Sequence, residues 1–265
     1  MKVIVPVVNN PTFVRLQALL LKKFMPCDYE FIVFNDAKAF PDYSNFNNPT
    51  LRQDITQTCH SLGITCILLD NHHHQFYNVG ASTRHTDTLR IMKQYMMEHP
   101  DSYLMIDSDM FPISTIPIQK YASYSSGAIV SQQRGEKEYM WPNLFYFDTR
   151  IISDFEQINW DLSPGCDTGG MSQEWLKKQK RDNVFFIQHL CSLGWGFVQL
   201  PDKFHQTELV NFLQQDLRNQ DNKYWCEIYD ECLLHYRAGS NWNGEGKEIH
   251  ETMTKNLESV LLSLL

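Results

Sequence analysis

Residues 103–113 of this chain read YLMIDSDMFPI, an apolar stretch that runs directly into two aspartates, Asp107 and Asp109. The apolar part is typical of a buried strand. In an extended chain, residues two positions apart project to the same side, so the two carboxylates can converge on one hard cation. Mg²⁺ and Mn²⁺ favour carboxylate and phosphate oxygens and can stabilise a diphosphate leaving group. Two aspartates of a surface turn are the competing interpretation, because short motifs also occur by chance.

Three strand–helix units precede this stretch. Apolar runs predict strands at residues 2–8, 29–34 and 65–69, and helical spacing predicts helices at 13–24, 51–62 and from a cap at Ser82 to 98. Strands that alternate with helices predict an α/β fold with a mostly parallel central sheet flanked by helices.

The second half of the chain is less regular. We expect strands at residues 128–132, 143–147, 184–187 and 195–200, and a helix at 171–180. Residues 248–265 predict an amphipathic helix whose apolar stripe consists of Ile249, Met253, Leu257, Val260, Leu261 and Leu264. This pattern leaves open whether the helix docks on the core, on a membrane surface as a peripheral contact, or on a second copy of the chain.

The composition argues against a nucleic-acid partner, a disulfide framework and a transmembrane segment. The 265 residues include 23 basic and 31 acidic side chains, which give a net charge of −8, and no dense Lys/Arg run suited to a nucleic acid is present. The seven cysteines are odd in number and contain no CxxC pair, which favours reduced thiols in a cytoplasmic protein. No run approaches the ~20 apolar residues of a transmembrane segment, and the apolar N-terminal run is too short for a signal peptide.

Polar side chains follow the predicted strands. Asn9, Asp36, Asp70 and Asp107 all stand where a strand ends. Ligands of open α/β sheets bind beyond the carboxyl ends of the strands, so this edge is where we expect a site. The competing interpretation is that loops are polar whether or not they bind anything.

An Asp-x-Asp motif after the fourth strand of such a sheet resembles the GT-A glycosyltransferases, and IDSDMF at residues 106–111 is similar to uncharacterised bacterial and large-DNA-virus members. The resemblance covers most of the chain in element order but only short motifs in residues. It implies a metal, Mn²⁺ or Mg²⁺, with Asp109 as a direct ligand and Asp107 on the ribose or on the metal through water. It also implies that Asn35 and Asp36 meet the nucleotide, and we place Asn9 with them.

Upstream of the motif, residues 82–85 read STRH at a predicted helix start. The resemblance implies a nucleotide contact for Arg84, which could pair with phosphate or ribose. A solvated arginine in a first helical turn is the alternative. The run His72–His74 is interpreted as an exposed loop, because three consecutive side chains cannot easily face one ion.

Late in the chain, residues 235–242 read HYRAGSNW. The resemblance implies a loop that closes over the diphosphate, in which His235 completes the metal shell and Gly239 permits a close backbone approach. We assign donor or acceptor contacts to Arg237, Gly239, Ser240, Asn241 and Trp242, although the Lys-Pro-Trp ending of some families is absent. The alternative for His235 is a hydrogen-bonded core histidine.

Residues 163–170 read SPGCDTGG before a predicted helix. The resemblance implies that Asp167 is the catalytic carboxylate, acting as a base in an inverting enzyme or orienting the sugar in a retaining one. A simple helix N-cap is the alternative. Gly169, Gly170, Trp141 and Asp148 are assigned to the donor and acceptor cleft, with core packing as the alternative for the tryptophan.

The expectation is a single domain over residues 1–265, with a nucleotide-binding half at 1–110 and an acceptor-binding half at 111–265. It would transfer a hexosyl or deoxyhexosyl group from a nucleotide sugar, with a UDP-sugar favoured, to a glycan or another hydroxyl acceptor. The alternatives are a haloacid-dehalogenase-like phosphohydrolase and a non-catalytic carbohydrate-binding protein on the same fold. The absence of a Gly-rich phosphate loop argues against a dehydrogenase or a nucleotidyltransferase.

Overall fold

The computed structural model describes residues 1–42, 44, 47–70, 80–189, 202–204, 207–219, 224–240 and 247–265. The strands of these residues are β1 (Lys2–Val7), β2 (Glu30–Asn35), β3 (Thr65–Leu68), β4 (Ser102–Ile106), β5 (Met110–Pro112), β6 (Ala128–Arg134), β7 (Lys137–Asp148), β8 (Phe185–Phe186), β9 (Glu227–Tyr229) and β10 (Leu233–His235). The α-helices are α1 (Pro11–Phe24), α2 (Leu51–Ser61), α3 (Ala81–Glu98), α4 (Ile118–Ala122), α5 (Gln173–Leu176), α6 (Glu208–Gln215) and α7 (Lys247–Ser263).

A seven-stranded sheet in the order β3-β2-β1-β4-β7-β6-β8 forms the centre of the fold. Strands β1 to β4 are mutually parallel, and β7 is the antiparallel member. The chain builds outward from β1 through β2 to β3 and then returns to the other side of β1 with β4. The predicted α/β fold with a mostly parallel sheet flanked by helices is confirmed.

Strand β1 is apolar and buried from Val3 to Val7 because both of its faces are covered there. Val3 and Val5 belong to one buried cluster with Leu21 of α1, whereas Ile4 belongs to the opposite cluster with Met92 of α3. Alternate residues of a strand point to opposite faces, so a strand between two helical layers needs apolar side chains at every position.

A second sheet, in the order β5-β10-β9, lies beside the first. Its strands have three residues each, and sequence analysis predicted none of them. In the second half of the chain, β6 and β7 cover the predicted strands at 128–132 and 143–147, whereas β8 forms only the two central residues of the strand predicted at 184–187. The predicted strand at 195–200 and the histidines His72–His74 lie outside the described residues.

The predicted helix at residues 171–180 is wrong in length. A 3₁₀ turn, Gly170–Ser172, leads into the short helix α5. After α5 the backbone bonds contract to three-residue turns, with Lys178 N–H bonded to the Trp175 carbonyl at 3.0 Å. The backbone becomes extended at Lys180, with a ψ of 130°, and the Gln179 side chain before it accepts from Ser126 Oγ and donates to Asp154.

The amphipathic C-terminal helix docks on its own chain. Met253, Leu257 and Leu261 of α7 are buried in a cluster with residues of α1 and α6, and Ile249, Val260 and Leu264 pack against the same cluster. Arg15 of α1 forms an ion pair with Glu258. The apolar stripe is therefore used within the chain. Among the helices of the described residues, none has the length and apolarity that crossing a membrane requires.

Gly169 and Gly165 allow a direct test of the packing of the 163–170 loop. Gly169 has a φ of 86° and Gly165 has a φ of 77°. A Cβ added to Gly169 would lie 2.3 Å from the Met140 carbonyl oxygen of β7, whereas a Cβ added to Gly165 would meet no atom within 4 Å. We expect Gly165→Ala to cost about 1–2 kcal/mol of unfolding free energy through its backbone conformation. Gly169→Ala should cost about 1–3 kcal/mol more through the clash. Urea unfolding measures both, and equal losses would contradict the tight packing of this loop.

Candidate functional site

Asp107 and Asp109 stand on a turn between β4 and β5. The turn is closed by the Met110 amide, which donates to the Asp107 carbonyl at 3.1 Å, and the Asp107 amide donates to the Asn143 carbonyl of β7. The buried carboxamide of Gln17 on α1 donates to the Asp107 and Met110 carbonyls at 2.9 Å. Hydrogen bonds from α1 and from β7 therefore fix the turn, and its two carboxylates lie close together.

His235 joins these carboxylates from the second sheet. It pairs across β10 and β5 with Met110, the residue after Asp109, and its Nε2 lies 3.3 Å from Asp109 Oδ1. Ligand atoms of Asp107, Asp109 and His235 lie within 4.8 Å of one another. Sequence analysis placed His235 in a closing loop, whereas it lies buried on a strand. Two carboxylates and an imidazole form a donor set that fits a divalent cation.

Asp107, Asp109 and His235 are called the metal cluster below. The carboxylates of this cluster favour a positive charge close to them. Burial raises the pKa of Asp107, and the charge of Asp109 adds to this rise. Burial alone would lower the pKa of His235, but the carboxylates of Asp109 and Glu227 raise it to about 10. Two carboxylates lie close together here, that of Asp109 buried and that of Asp107 at the edge of solvent, and a cation in the cluster would offset their repulsion.

The turn that follows β10 closes against the aspartates. The Gly239 amide donates to Asp109 Oδ2 at 2.8 Å, and the Ser240 and Ser108 hydroxyls lie 2.8 Å apart. A Cβ on Gly239 would lie 2.7 Å from the Asp109 Cβ, so a larger residue would not fit without movement. The close backbone approach expected of Gly239 is therefore present. Asn241 and Trp242 lie outside the described residues.

A cleft of about 470 Å³ opens above the metal cluster, at the carboxyl ends of the parallel strands. It lies beside β1 and β4, where the strand order reverses, which is the usual position of ligands in open α/β sheets. Its volume suits a small-molecule ligand. It is lined by residues of nine separate stretches: Pro6, Val8, Asp36, Ser44, Ala81, Ser82, Arg84, His85, Thr88, Asp107, Ser108, Asp109, Trp141, Asp167, Thr168, Trp225, His235, Arg237, Ala238 and Ser240.

Of the five residues predicted to bind the nucleotide, Asp36, Arg84 and Asp107 line the cleft. Asn35 does not, because its side-chain amide donates to the Arg52 carbonyl and Thr56 Oγ1 on α2. Asn9 does not either, since its amide donates to the backbone carbonyls of residues 44 and 240. These two asparagines hold the loops that border the cleft.

The cleft face of α3 carries Ser82, Arg84, His85 and Thr88. Ser82 does not cap this helix as predicted, because the N-cap residue is Gly80. The Arg84 guanidinium lies 3.7 Å from Asp42 and is mostly buried, so it is not the solvated arginine of the alternative interpretation.

Asp167 faces the cleft beside the first turn of α3. The Ser82 hydroxyl and the Thr168 amide both donate to its Oδ1. The 3₁₀ turn after it is preceded by Gly169 at the cap position, so the helix-cap interpretation of Asp167 is not supported.

The residues assigned to the donor and acceptor divide into two groups. Trp141, Arg237 and Ser240 line the cleft, and the Trp141 ring packs edge-on against His235. Gly169 and Gly170 do not line it, because they serve the packing of the loop on β7 and on itself. Asp148 does not line the cleft either, since it pairs with Ser102 at the opposite end of β4 and binds Arg150 through both oxygens.

Sequence analysis missed several residues of the site. His85 and Trp225 line the cleft, and Glu227 lies behind His235. The i, i+3 spacing of Ser82, His85 and Thr88 is a signal that could have predicted a shared helix face. Nothing in the sequence predicts Trp225 or Glu227, because Glu227 lies on the three-residue strand β9 and Trp225 lies just before it.

Comparisons with known proteins give matches only among solved structures. No protein-family model and no curated protein matches this chain. The galactosyltransferase LgtC, in complex with donor and acceptor sugar analogues, matches at 12% identity and a TM-score of 0.47, over 98% of this chain and 96% of that chain. An active-site mutant of LgtC matches at 12% and 0.49, with the same coverage. Mouse xyloside xylosyltransferase 1, apo form, matches at 7% and 0.41, over 70% and 84%.

Two of these matches are named as sugar-transferring enzymes, a galactosyltransferase and a xylosyltransferase. At such identities and TM-scores, however, the likeness does not decide the chemistry of this chain, and the residues of its own site must do so.

Asp36 provides a test of the electrostatics at the cleft. Burial raises its pKa from the ordinary 3.8 to about 7, against Thr88, Arg84, Arg52 and Lys38, which lower it. The folded protein therefore keeps a proton that the unfolded chain loses, so stability falls as the pH rises from about 4 to 7. Asp36→Asn removes this loss. From pH 5 to about pH 7 the wild type loses about 2–3 kcal/mol of unfolding free energy through Asp36, because each pH unit costs about 1.4 kcal/mol. The difference in unfolding free energy between Asp36→Asn and the wild type should therefore be about 2–3 kcal/mol larger at pH 8 than at pH 5.

Urea unfolding of both proteins at the two pH values measures this gain. A constant difference between them would mean that Asp36 is ionised throughout.

Proposed function

We propose that this chain is a metal-dependent glycosyltransferase of the GT-A class. It would move a hexosyl or deoxyhexosyl group from a nucleoside-diphosphate sugar, with a UDP-sugar favoured, to a hydroxyl of a glycan or another acceptor. The observation that carries this proposal is the metal cluster at the strand-order reversal of a parallel sheet, beneath a cleft of about 470 Å³. A cation at that place would lie where a diphosphate can bind.

The donor set supports Mn²⁺ or Mg²⁺ as the metal. Asp109 and His235 offer Oδ1 and Nε2 at the base of the cleft, and Asp107 offers a further carboxylate. When bound, the ion would supply positive charge to the diphosphate as it leaves. The Gly239 amide holds the other oxygen of Asp109, so this carboxylate is already oriented.

The nucleotide is placed between α3 and the end of β2. Arg84 is the cation that faces this part of the cleft, and it suits a phosphate or ribose oxygen. Asp36 at the end of β2 suits the ribose or base. In this assignment residues 1–110 form the nucleotide-binding half of one domain, and residues 111–265 form the acceptor-binding half.

Asp167 is placed at the reacting centre. The bond from the sugar C1 to the phosphate oxygen breaks, the acceptor oxygen bonds to C1, and the nucleoside diphosphate leaves. In an inverting enzyme Asp167 would take the acceptor proton, and in a retaining one it would orient the sugar. The Ser82 hydroxyl donates to one of its oxygens, which fixes the carboxylate for either role.

The acceptor is placed along Trp141 and Arg237, on the other side of the metal cluster. An indole face and a guanidinium suit the apolar face and the hydroxyls of a sugar. We also place the protein in the cytoplasm. All cysteines among the described residues are free thiols, which suits a reducing compartment.

Removal of the metal tests the core of the proposal. Two carboxylates repel a diphosphate unless a cation lies between them, so UDP should bind measurably only when Mn²⁺ is present. Asp109→Asn should reduce the Mn²⁺-dependent affinity by more than about tenfold, and Asp107→Asn should reduce it less. Asp148→Asn is the matched control, because that carboxylate lies at the opposite end of β4. Calorimetry of UDP and GDP gives the affinities.

Equal UDP affinity in EDTA would contradict the metal-bridged donor. Release of inorganic phosphate from a simple phosphate ester would favour the phosphohydrolase instead. Sugar binding without any turnover would favour the carbohydrate-binding protein.

Asp167→Asn tests the reacting centre. A group that acts in the transition state affects turnover rather than donor affinity, so kcat should fall by about 10²–10⁴-fold while donor binding stays near the wild-type value. Asp161→Asn is the control, since Asp161 lies in the same stretch and pairs with Arg90 outside the cleft. Near-normal turnover with a lowered melting temperature would make Asp167 a structural residue.

A further inference from the structure

The carboxylate of Glu227 lies inside the protein, directly behind His235. The two residues are a cross-strand pair of β9 and β10, so the register itself places their side chains next to each other. Glu227 Oε2 lies 2.8 Å from His235 Nδ1, and the glutamate side chain is 4% exposed. The other ring nitrogen of His235, Nε2, faces Asp109. The imidazole is thus held between a carboxylate that borders the cleft and one that does not.

Further contacts orient Glu227. The Tyr229 hydroxyl donates to Glu227 Oε2 at 2.6 Å, and the Asn143 amide of β7 donates to that hydroxyl at 3.2 Å. Arg237 Nε lies 3.7 Å from the other carboxylate oxygen. Glu227 is therefore anchored to both sheets and does not line the cleft, so it cannot touch a ligand there.

Stability does not account for this carboxylate. Taking a charge out of water costs several kcal/mol, and an apolar side chain of similar volume is often neutral or stabilising at such a position. The presence of a charged side chain at this position is therefore better explained by a function of the carboxylate than by packing. A histidine that binds a metal through one ring nitrogen commonly donates the other N–H to a carboxylate, which orients the ring and raises its basicity as a ligand.

We infer that Glu227 is a positioning residue for metal binding. It accepts the Nδ1–H of His235 and thereby keeps Nε2 directed at the cation held by Asp109. This inference rests on the metal cluster of the proposed function, but it adds a residue from outside the cleft on which the affinity of that cluster depends.

Glu227→Gln is the direct test, with Mn²⁺ alone as the probe. A glutamine keeps the shape but can present either an oxygen or an NH₂ group, so it no longer determines which ring nitrogen carries the proton. We expect Mn²⁺ to bind about 10–100-fold more weakly, as measured by electron paramagnetic resonance titration of free Mn²⁺. The nitrogen modulation that a directly bound imidazole produces in the pulsed spectrum should also fall.

The matched control is Asp216→Asn. Asp216 is another buried carboxylate of this region, but it binds Arg218 and not His235. Its loss should lower stability in urea and leave both Mn²⁺ affinity and nitrogen modulation near the wild-type values. Glu227→Asp is the second variant, in case the glutamine does not fold. It keeps the charge but withdraws the carboxylate by one methylene, and about tenfold weaker binding is expected.

Mn²⁺ affinity and nitrogen modulation that stay unchanged in the glutamate variants would overturn the inference and make Glu227 a structural residue only. The proposed metal cluster would then still stand, provided that Asp109→Asn weakens Mn²⁺ binding. If the wild-type protein binds no Mn²⁺, alone or with a nucleoside diphosphate, the proposed function fails and this inference fails with it.

Discussion

Two carboxylates held side by side repel each other, and much of this structure is arranged around that repulsion. Asp107 and Asp109 share one short turn, and the backbone of the turn is fixed by Gln17 of α1. The Gly239 amide and the His235 imidazole then bring positive character to Asp109. These contacts hold the two carboxylates close together despite their repulsion, and like charges at this distance favour the binding of a cation between them.

The parallel sheet explains why the cluster lies beneath a cleft. β1 leads into α1, whereas its neighbour β4 leads into the Asp107–Asp109 turn and β5, so the chain diverges after these two strands and leaves a crevice. α3 borders one side of it with Arg84 and Thr88. The turn after β10 borders the other side, and Asn9 ties that turn to the loop around residue 44. The residues of the cleft are distant in sequence because the crevice is a property of strand order.

The features that could be predicted from the sequence are those that depend on neighbouring residues along the chain. Strand β1, the strand before Asp107 and the apolar stripe of α7 follow from periodicity, since burial on two faces or on one face sets the spacing of apolar residues. Asn35, which was assigned through the family resemblance, and Asp148, which was assigned by its place between motifs, show what position along the chain leaves undecided. Both stand at a strand end, but Asn35 is turned into α2 and Asp148 lies at the wrong edge of the sheet. A strand end is visible in the sequence, whereas the edge to which it points depends on the direction of the strand.

The sequence by itself determined the α/β alternation, the Asp107–Asp109 pair and the candidacy of His235, because each depends on residue type and short-range spacing. Only the tertiary structure decided that His235 reaches Asp109 from a strand and that Glu227 stands behind it. That outcome depends on the register of three strands of three residues each, which carry too few side chains for a periodic signal. The pairing of β10 with β5 joins residues more than a hundred positions apart, and such a contact leaves no local pattern. β9 and β10 are close in the sequence, but each has only three residues.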